Sequence, residues 1–166
     1  MMSEDKTTAK AGLMQQLKNI FSGRPHWMNA LMIFCAYMTF IYMPFDMFYK
    51  PVAEDEEVWF GYMLHGWAAK ATEPLHWAIY GAGFYGFLKM KSWMHPWAAL
   101  YVFQIAIGMA VWPLLYQGVS PLVGVAIGLP FVALGVVLWR ARPRFIGIVE
   151  HAGAESESDI EGEGTR

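Results

Sequence analysis

Long apolar runs alternate with short polar gaps along this chain. The runs lie at about 27–48 (WMNALMIFCAYMTFIYMPFDMF), 72–88, 96–116 (PWAALYVFQIAIGMAVWPLLY) and 121–139 (PLVGVAIGLPFVALGVVLW). None shows the polar face that a surface helix of a soluble protein carries. Each approaches the roughly 20 helical residues needed to cross a hydrocarbon core of about 30 Å. The pattern predicts an all-α fold, an integral membrane four-helix bundle. Residues 58–69 carry Trp59, Phe60, Tyr62 and Trp67. Joined to the second run they would make a helix of about 45 Å, too long for one crossing. They are expected to form a short interfacial helix before the second span, because amphipathic aromatics favour the headgroup level. Leu13, Leu17, Ile20 and Phe21 recur at helical spacing among lysines, which predicts an amphipathic helix on an anionic membrane face. The expected organisation is a cytoplasmic segment over 1–25, a four-span domain over 26–145 and a disordered acidic tail over 146–166.

Charge adds an orientation. Only 16% of the 166 residues are charged, and they sit at the ends and in two gaps. Lys6, Lys10, Lys18 and Arg24 precede the first span, Lys89 and Lys91 separate spans two and three, and Arg140, Arg142 and Arg144 follow the fourth. The loop after span one sets Lys50 against Glu54, Asp55, Glu56 and Glu57, while QGVS between the last two spans has no charge. Lysine and arginine accumulate on the cytoplasmic side, so both termini are expected there. The first run reads as a signal anchor, since no small-residue cleavage site follows it. Ala78, Ala82 and Gly86 on span two, and Gly124 and Gly128 on span four, predict close helix crossings. Pro113 and Pro130 predict kinks. The single cysteine, Cys35, rules out an internal disulfide and a cysteine-rich metal site.

Few polar residues remain to carry chemistry. Lys70, Glu73 and Trp77 share a helical face, Tyr80 continues it, and His76 lies about 60° to one side. With spans alternating in direction, Tyr42 and Asp46 of span one and Trp112 and Tyr116 of span three reach the height of Glu73. Gln104 falls near mid-membrane. An acid at membrane depth is a functional candidate by default. The plainer alternative is a Lys70–Glu73 ion pair at a wet boundary, which contributes little. His65, His76 and His95 raise the question of haem. His76 is near the outer face and His95 at the inner end of span three, so they cannot share one iron. Glu73 and His76 have the i, i+3 spacing of a metal pair but lack a second such pair. No cofactor and no metal is expected, and no nucleic-acid motif appears.

These features resemble the family that contains emopamil-binding protein and the sigma-2 receptor, the EXPERA-type small membrane proteins. The likeness runs from about Ile33 to Phe145. It rests on Glu73 at the head of span two, the Phe87-Leu88-Lys89 turn, His95-Pro96, Gly108 within IAIGMAVWPLLY, and the closing LPFVALGVVLWRARP. The resemblance implies a sterol- or isoprenoid-like lipid held in the outer half of the bundle, with double-bond isomerisation as the associated chemistry. Glu73 and His76 would then be the catalytic candidates. Tyr42, Asp46, Trp77, Tyr80, Gln104, Trp112 and Tyr116 would be the ligand-binding ones. The third-helix acid of the isomerases falls at about Pro113, and span three contains no acid. The expected partners are an apolar lipid ligand, the membrane lipids, and further copies or a larger membrane complex. In the alternative reading the chain is a non-catalytic accessory subunit of such a complex.

The orientation is directly testable. Single cysteines at Ser3, Glu56 and Glu163 in a Cys35→Ala background, treated with an impermeant thiol reagent on intact cells, should label only at position 56. Labelling at position 3 in place of 56 would invert the topology.

Overall fold

The computed structural model describes residues 12, 14–16, 18 and 20–146. Residues 14–16, 20 and 21 are helical, as the amphipathic spacing suggested, whereas Leu13 and Leu17 lie outside the described residues. So does the acidic tail from residue 147 onward. The elements in order are α1 (His26–Tyr37), a π-helical turn (Met38–Tyr42), α2 (Met43–Phe48), a 3-10 turn (Val52–Glu54), β1 (Glu56–Trp59), β2 (Tyr62–His65), α3 (Trp67–Lys70), α4 (Glu73–Leu88), α5 (Met94–Tyr116) and α6 (Pro121–Arg140).

Three helical segments are long and apolar enough to cross a membrane: His26–Phe48, Met94–Tyr116 and Pro121–Arg140. This fits an integral membrane protein. The fourth expected span, α4, has 16 residues and is shorter than the other three. The first segment stays continuous through its π turn. Pro44 has no N–H to offer the carbonyl one turn back, and its ring crowds that carbonyl. A wider turn over Met38–Tyr42 absorbs the mismatch. The Thr39 carbonyl there accepts a hydrogen bond from Trp77 Nε1 at 2.8 Å, which fastens α4 to the first segment. In α5, His95 is extended (φ −97°, ψ 127°), so the regular helix starts at Pro96, where the sequence placed it.

The helices pack as two pairs. Helix α4 lies on α1, where a Cβ on Gly83 would stand 3.1 Å from Cys35 Sγ. Helix α6 lies on α5, where a Cβ on Gly128 would stand 2.9 Å from the Ala106 carbonyl oxygen. Gly135 faces the Phe103 ring in the same way. The two pairs join at the end near Arg24, in a cluster built from Met28, Met32, Phe87, Met94, Leu138 and Phe145. Arg24 donates to the carbonyls of Phe87 and Leu88 at 2.6 and 2.7 Å, placing a cation on the C-terminal end of α4.

Two expectations are corrected. Residues 58–69 do not form an interfacial helix: most of them belong to an antiparallel hairpin, with only the short α3 helical before α4. The fold is therefore mostly helical rather than all-α. Phe60 (φ 52°) and Gly61 (φ 91°) both occupy the left-handed region, which gives the two-residue turn the twist a hairpin needs. Gly61 is also required by contact, since a Cβ there would overlap Val111 of α5. The second correction concerns Ala78 and Ala82, which are exposed, while Gly86 of the same stripe is buried. The glycine that α4 presents to α1 is Gly83, against Cys35, while Gly81 faces Thr39 of the π turn.

Replacing Gly128 with Leu should overpack the α5–α6 crossing and lower stability by about 1–3 kcal/mol. Ala82→Leu, on an exposed face, should change it little. Thermal unfolding in detergent compares the two, and equal effects would contradict this packing.

Candidate functional site

Opposite the apolar cluster, the chain gathers its internal charges. Asp46 on α2, Asp55 ahead of β1 and Glu73 at the start of α4 are buried, and each places a carboxylate oxygen within 4.8 Å of the others. Two lysines lie among them. Lys50 Nζ is 3.1 Å from Asp46 Oδ1 and 2.9 Å from Asp55 Oδ1. Lys70 Nζ is 3.4 Å from Asp55 Oδ2 and 3.1 Å from Glu73 Oε1. It also donates to the carbonyls of Asp46 at 2.5 Å and Lys50 at 3.3 Å, at the C-terminal end of the first helical segment. Three carboxylates against two ammonium groups leave one formal negative charge when all are ionised. Glu73 Oε2 is buried without a hydrogen-bond partner among the described residues. The three acids have the spacing of a metal site, and the two ammonium groups lie against one oxygen each of Asp46 and Glu73 and both oxygens of Asp55.

The electrostatics of the loop side follow from these contacts. Burial raises the Asp55 carboxyl, yet the Lys50 hydrogen bond and the charges of Lys50 and Lys70 outweigh it and hold Asp55 below the usual carboxylate range. Burial likewise works against the Lys50 charge, and the hydrogen bonds to Asp55 and Asp46 reverse it, raising its pKa.

A second polar group lies one turn further along α4. Alternate residues of a strand face the same way, so Glu57 and Trp59 of β1 share one side of the hairpin. Both meet His76. Glu57 Oε2 is 2.6 Å from His76 Nδ1, and the Trp59 indole stacks on the imidazole at 4.2 Å with 8° between planes. Beyond His76 stands Tyr80, with centroids 6.2 Å apart, and Tyr80 meets Tyr101 of α5 edge to face at 6.2 Å. The hairpin tip sits on α5 at Gly108, Val111 and Trp112. The Met63 N–H donates to Tyr116 Oη at 3.1 Å. The indole nitrogens of Trp59 and Trp112 are buried and have no hydrogen-bond partner among the described residues.

The structure thus divides the residues singled out from the sequence. Glu73 and Asp46 enter the ion cluster, and the anticipated Lys70–Glu73 pair forms. His76, Tyr80, Trp112 and Tyr116 gather around the hairpin. Glu73 and His76 have separate partners and make no direct pair. Tyr42 is exposed, and Trp77 is spent on the Thr39 carbonyl. Gln104 is half-buried on the α5 face that carries Tyr101, Gly108 and Trp112. The sequence reading missed Asp55, Lys50, Glu57, Trp59 and Tyr101 as members of either group. Alternation was the available signal: EEVW places Glu57 and Trp59 on one side of a strand.

Comparison with protein-family models, with curated proteins and with solved structures finds no match for this chain. Chemically, the ion cluster can fix three backbone segments. The hairpin group can offer N–H donors, an imidazole and an aromatic wall to a ligand.

Asp55→Ala should destabilise by about 1–3 kcal/mol, because each lysine loses one of its two carboxylate partners while Lys50 keeps Asp46 and Lys70 keeps Glu73. A pH dependence follows. The Asp55 pKa is lowered on folding, so its contribution is present above its ordinary pKa and lost as pH falls through the lowered one. The Lys50 pKa is raised on folding, so its contribution is full below its ordinary pKa and lost as pH rises beyond it. Stability should therefore be flat around neutrality and fall at both extremes. Unfolding of the wild type and of Asp55→Asn across pH checks this, since the variant should lose most of the acid limb.

Proposed function

We propose that the chain is a four-span membrane protein that binds an apolar isoprenoid- or sterol-like lipid between α4 and α5, beneath the hairpin. The 16 residues of α4 extend about 24 Å at the helical rise, and α3 and the ion cluster continue it to the headgroup level. The two helix pairs meet closely at the Arg24 end, whereas on the other side the hairpin bridges α4 and α5. That half is aromatic, with Trp59, Tyr80, Tyr101 and Trp112 on its walls. The observation that carries the reading is the pair of buried, unpartnered indole N–H groups of Trp59 and Trp112. A buried donor without an acceptor costs about 1–3 kcal/mol. A ligand oxygen would meet that need, and an otherwise apolar ligand would suit the remaining walls. The resemblance to the emopamil-binding and sigma-2 proteins points to the same half of the bundle and the same ligand class. The reading is one of binding, because a double-bond shift needs a proton donor and an acceptor on one ligand, and Glu73 and His76 belong to separate networks.

Lipids extracted from the purified protein should contain one apolar species enriched to near-stoichiometric amounts over the host membrane. Trp112→Phe keeps the ring and removes the donor, and should lower retention of that species by roughly fivefold, the scale of one hydrogen bond. An extract from the wild type that mirrors the bulk membrane lipids would end this reading.

A further inference from the structure

We infer that the acidic residues 150–163 of this chain dock on the basic surface at the Arg24 end, and that this segment, rather than the headgroups of anionic lipid, supplies the counter-charge there. The fold sorts its charges completely. Every acid among the described residues lies between Asp46 and Glu73, at the hairpin end, and every ion pair among them is at that end too. The Arg24 end has cations and, among the described residues, no acid. Lys18, Lys89, Arg140, Arg142 and Arg144 are exposed there, and Lys91 is half-buried over the Tyr85 ring. Packing draws these cations together. Arg24 caps the last carbonyls of α4, next to Lys89, and Phe145 is buried against Phe87, so the chain after α6 reaches the same helix end. Residues 142–146 are helical, and Ala141 and Phe145, one turn apart, both enter the apolar cluster. Arg142 and Arg144 therefore project away from the cluster, from a segment lying over the end of α4. Headgroups surround a bundle at its perimeter, whereas a surface across a helix end opens into the aqueous phase. From Ile146 the chain continues as GIVEHAGAESESDIEGEGTR, with six acids and one arginine. The stretch before residue 12 offers no such surplus, since Glu4 and Asp5 are matched by Lys6 and Lys10. Glu150 follows Ile146 by four residues, so the tail is held near the surface at an effective concentration on the order of millimolar. Residues 150–163 can extend about 46–50 Å, enough to cross a bundle of helices each roughly 10 Å wide. One exposed ion pair contributes little, but several made by one tethered segment add without a further loss of translational freedom.

The test uses the full-length protein, one copy per nanodisc, treated with a carbodiimide, which joins a carboxylate to a lysine amine only where the two are in contact. Peptide mass spectrometry should find Lys89 or Lys91 joined to acids between Glu155 and Glu163, in phosphatidylcholine discs and equally in discs containing phosphatidylglycerol. Raising the salt from about 0.1 M to about 1 M shortens the Debye length from about 10 Å to about 3 Å and should lower the yield severalfold. A second readout uses a variant that leaves every described residue unchanged, combining Glu155→Gln, Glu157→Gln, Asp159→Asn, Glu161→Gln and Glu163→Gln. Acetylation of Lys89 by a water-soluble ester should be severalfold faster in it than in the wild type, while that of Lys50, within the ion cluster, stays as it was. Absence of links between the tail and these lysines in the neutral discs would overturn the inference. Links that form in neutral discs and vanish in anionic ones would overturn it too, since lipid headgroups would then be the occupant. Equal acetylation of Lys89 in wild type and variant would count against it in the same way.

Discussion

The carboxylate of Asp55 holds the charged end of this molecule together. One oxygen faces Lys50 and the other Lys70, and those lysines reach Asp46 and Glu73. Three segments that share no secondary structure are thereby tied: the end of the first helical segment, the base of the hairpin and the head of α4. An apolar chain has few ways to fix a loop at that level. Hydrophobic burial discriminates little among side chains where lipid is the alternative environment. A paired charge is strongly directional by comparison, and leaving it unpaired in a buried site costs several kcal/mol. Lys70 adds a further constraint by binding the carbonyls of Asp46 and Lys50, where the helix leaves acceptors unfilled.

That tie explains how the hairpin comes to lie where it does. Gly66 N–H bonds the Asp55 carbonyl at 2.9 Å, closing the hairpin at its base beside the ion cluster. The strands are only four residues each, too short to persist as an isolated ribbon. Docking supplies the missing stability. Gly61 lets the tip approach α5, Met63 N–H finds Tyr116, and Glu57 finds His76. The hairpin is thus anchored at its base by charge and along its length by two different helices. It connects the α1–α4 pair to the α5–α6 pair on the side opposite the apolar cluster.

The parts of this architecture legible in the sequence are those fixed by local composition. Apolar runs with almost no charge marked the helices His26–Phe48, Met94–Tyr116 and Pro121–Arg140. His95-Pro96 marked where α5 becomes regular, and Lys70 and Glu73 were recognisable as a pair from their spacing. The hairpin was hidden because its turn is Phe60-Gly61, without the Asn or Asp that commonly announces such a turn. Its aromatics also suit a membrane-surface helix equally well. Asp55 was hidden for a different reason. In the run Glu54-Asp55-Glu56-Glu57 nothing local separates the two buried acids from their exposed neighbours, and only the return of α4 selects Asp55 and Glu57. The small-residue stripe of α4 was legible only in part, since the rotation of the helix leaves Ala78 and Ala82 exposed, buries Gly86 and turns Gly83 toward Cys35.

The separation of Glu73 from His76 bears on what kind of site the fold can support. Both sit in the first turn of α4, three residues apart, and the sequence invites the view that they act together. Their partners pull them to different tasks. Glu73 faces Lys70 through Oε1 within the cluster of three acids and two ammonium groups, and its Oε2 is buried without a hydrogen-bond partner among the described residues. His76 faces Glu57 through Nδ1 and stacks on the Trp59 indole. The acid of α4 therefore ties the loop to the helix, whereas its histidine ties the hairpin to the helix. The hairpin that supplies Glu57 and Trp59 is thereby a brace between α4 and α5.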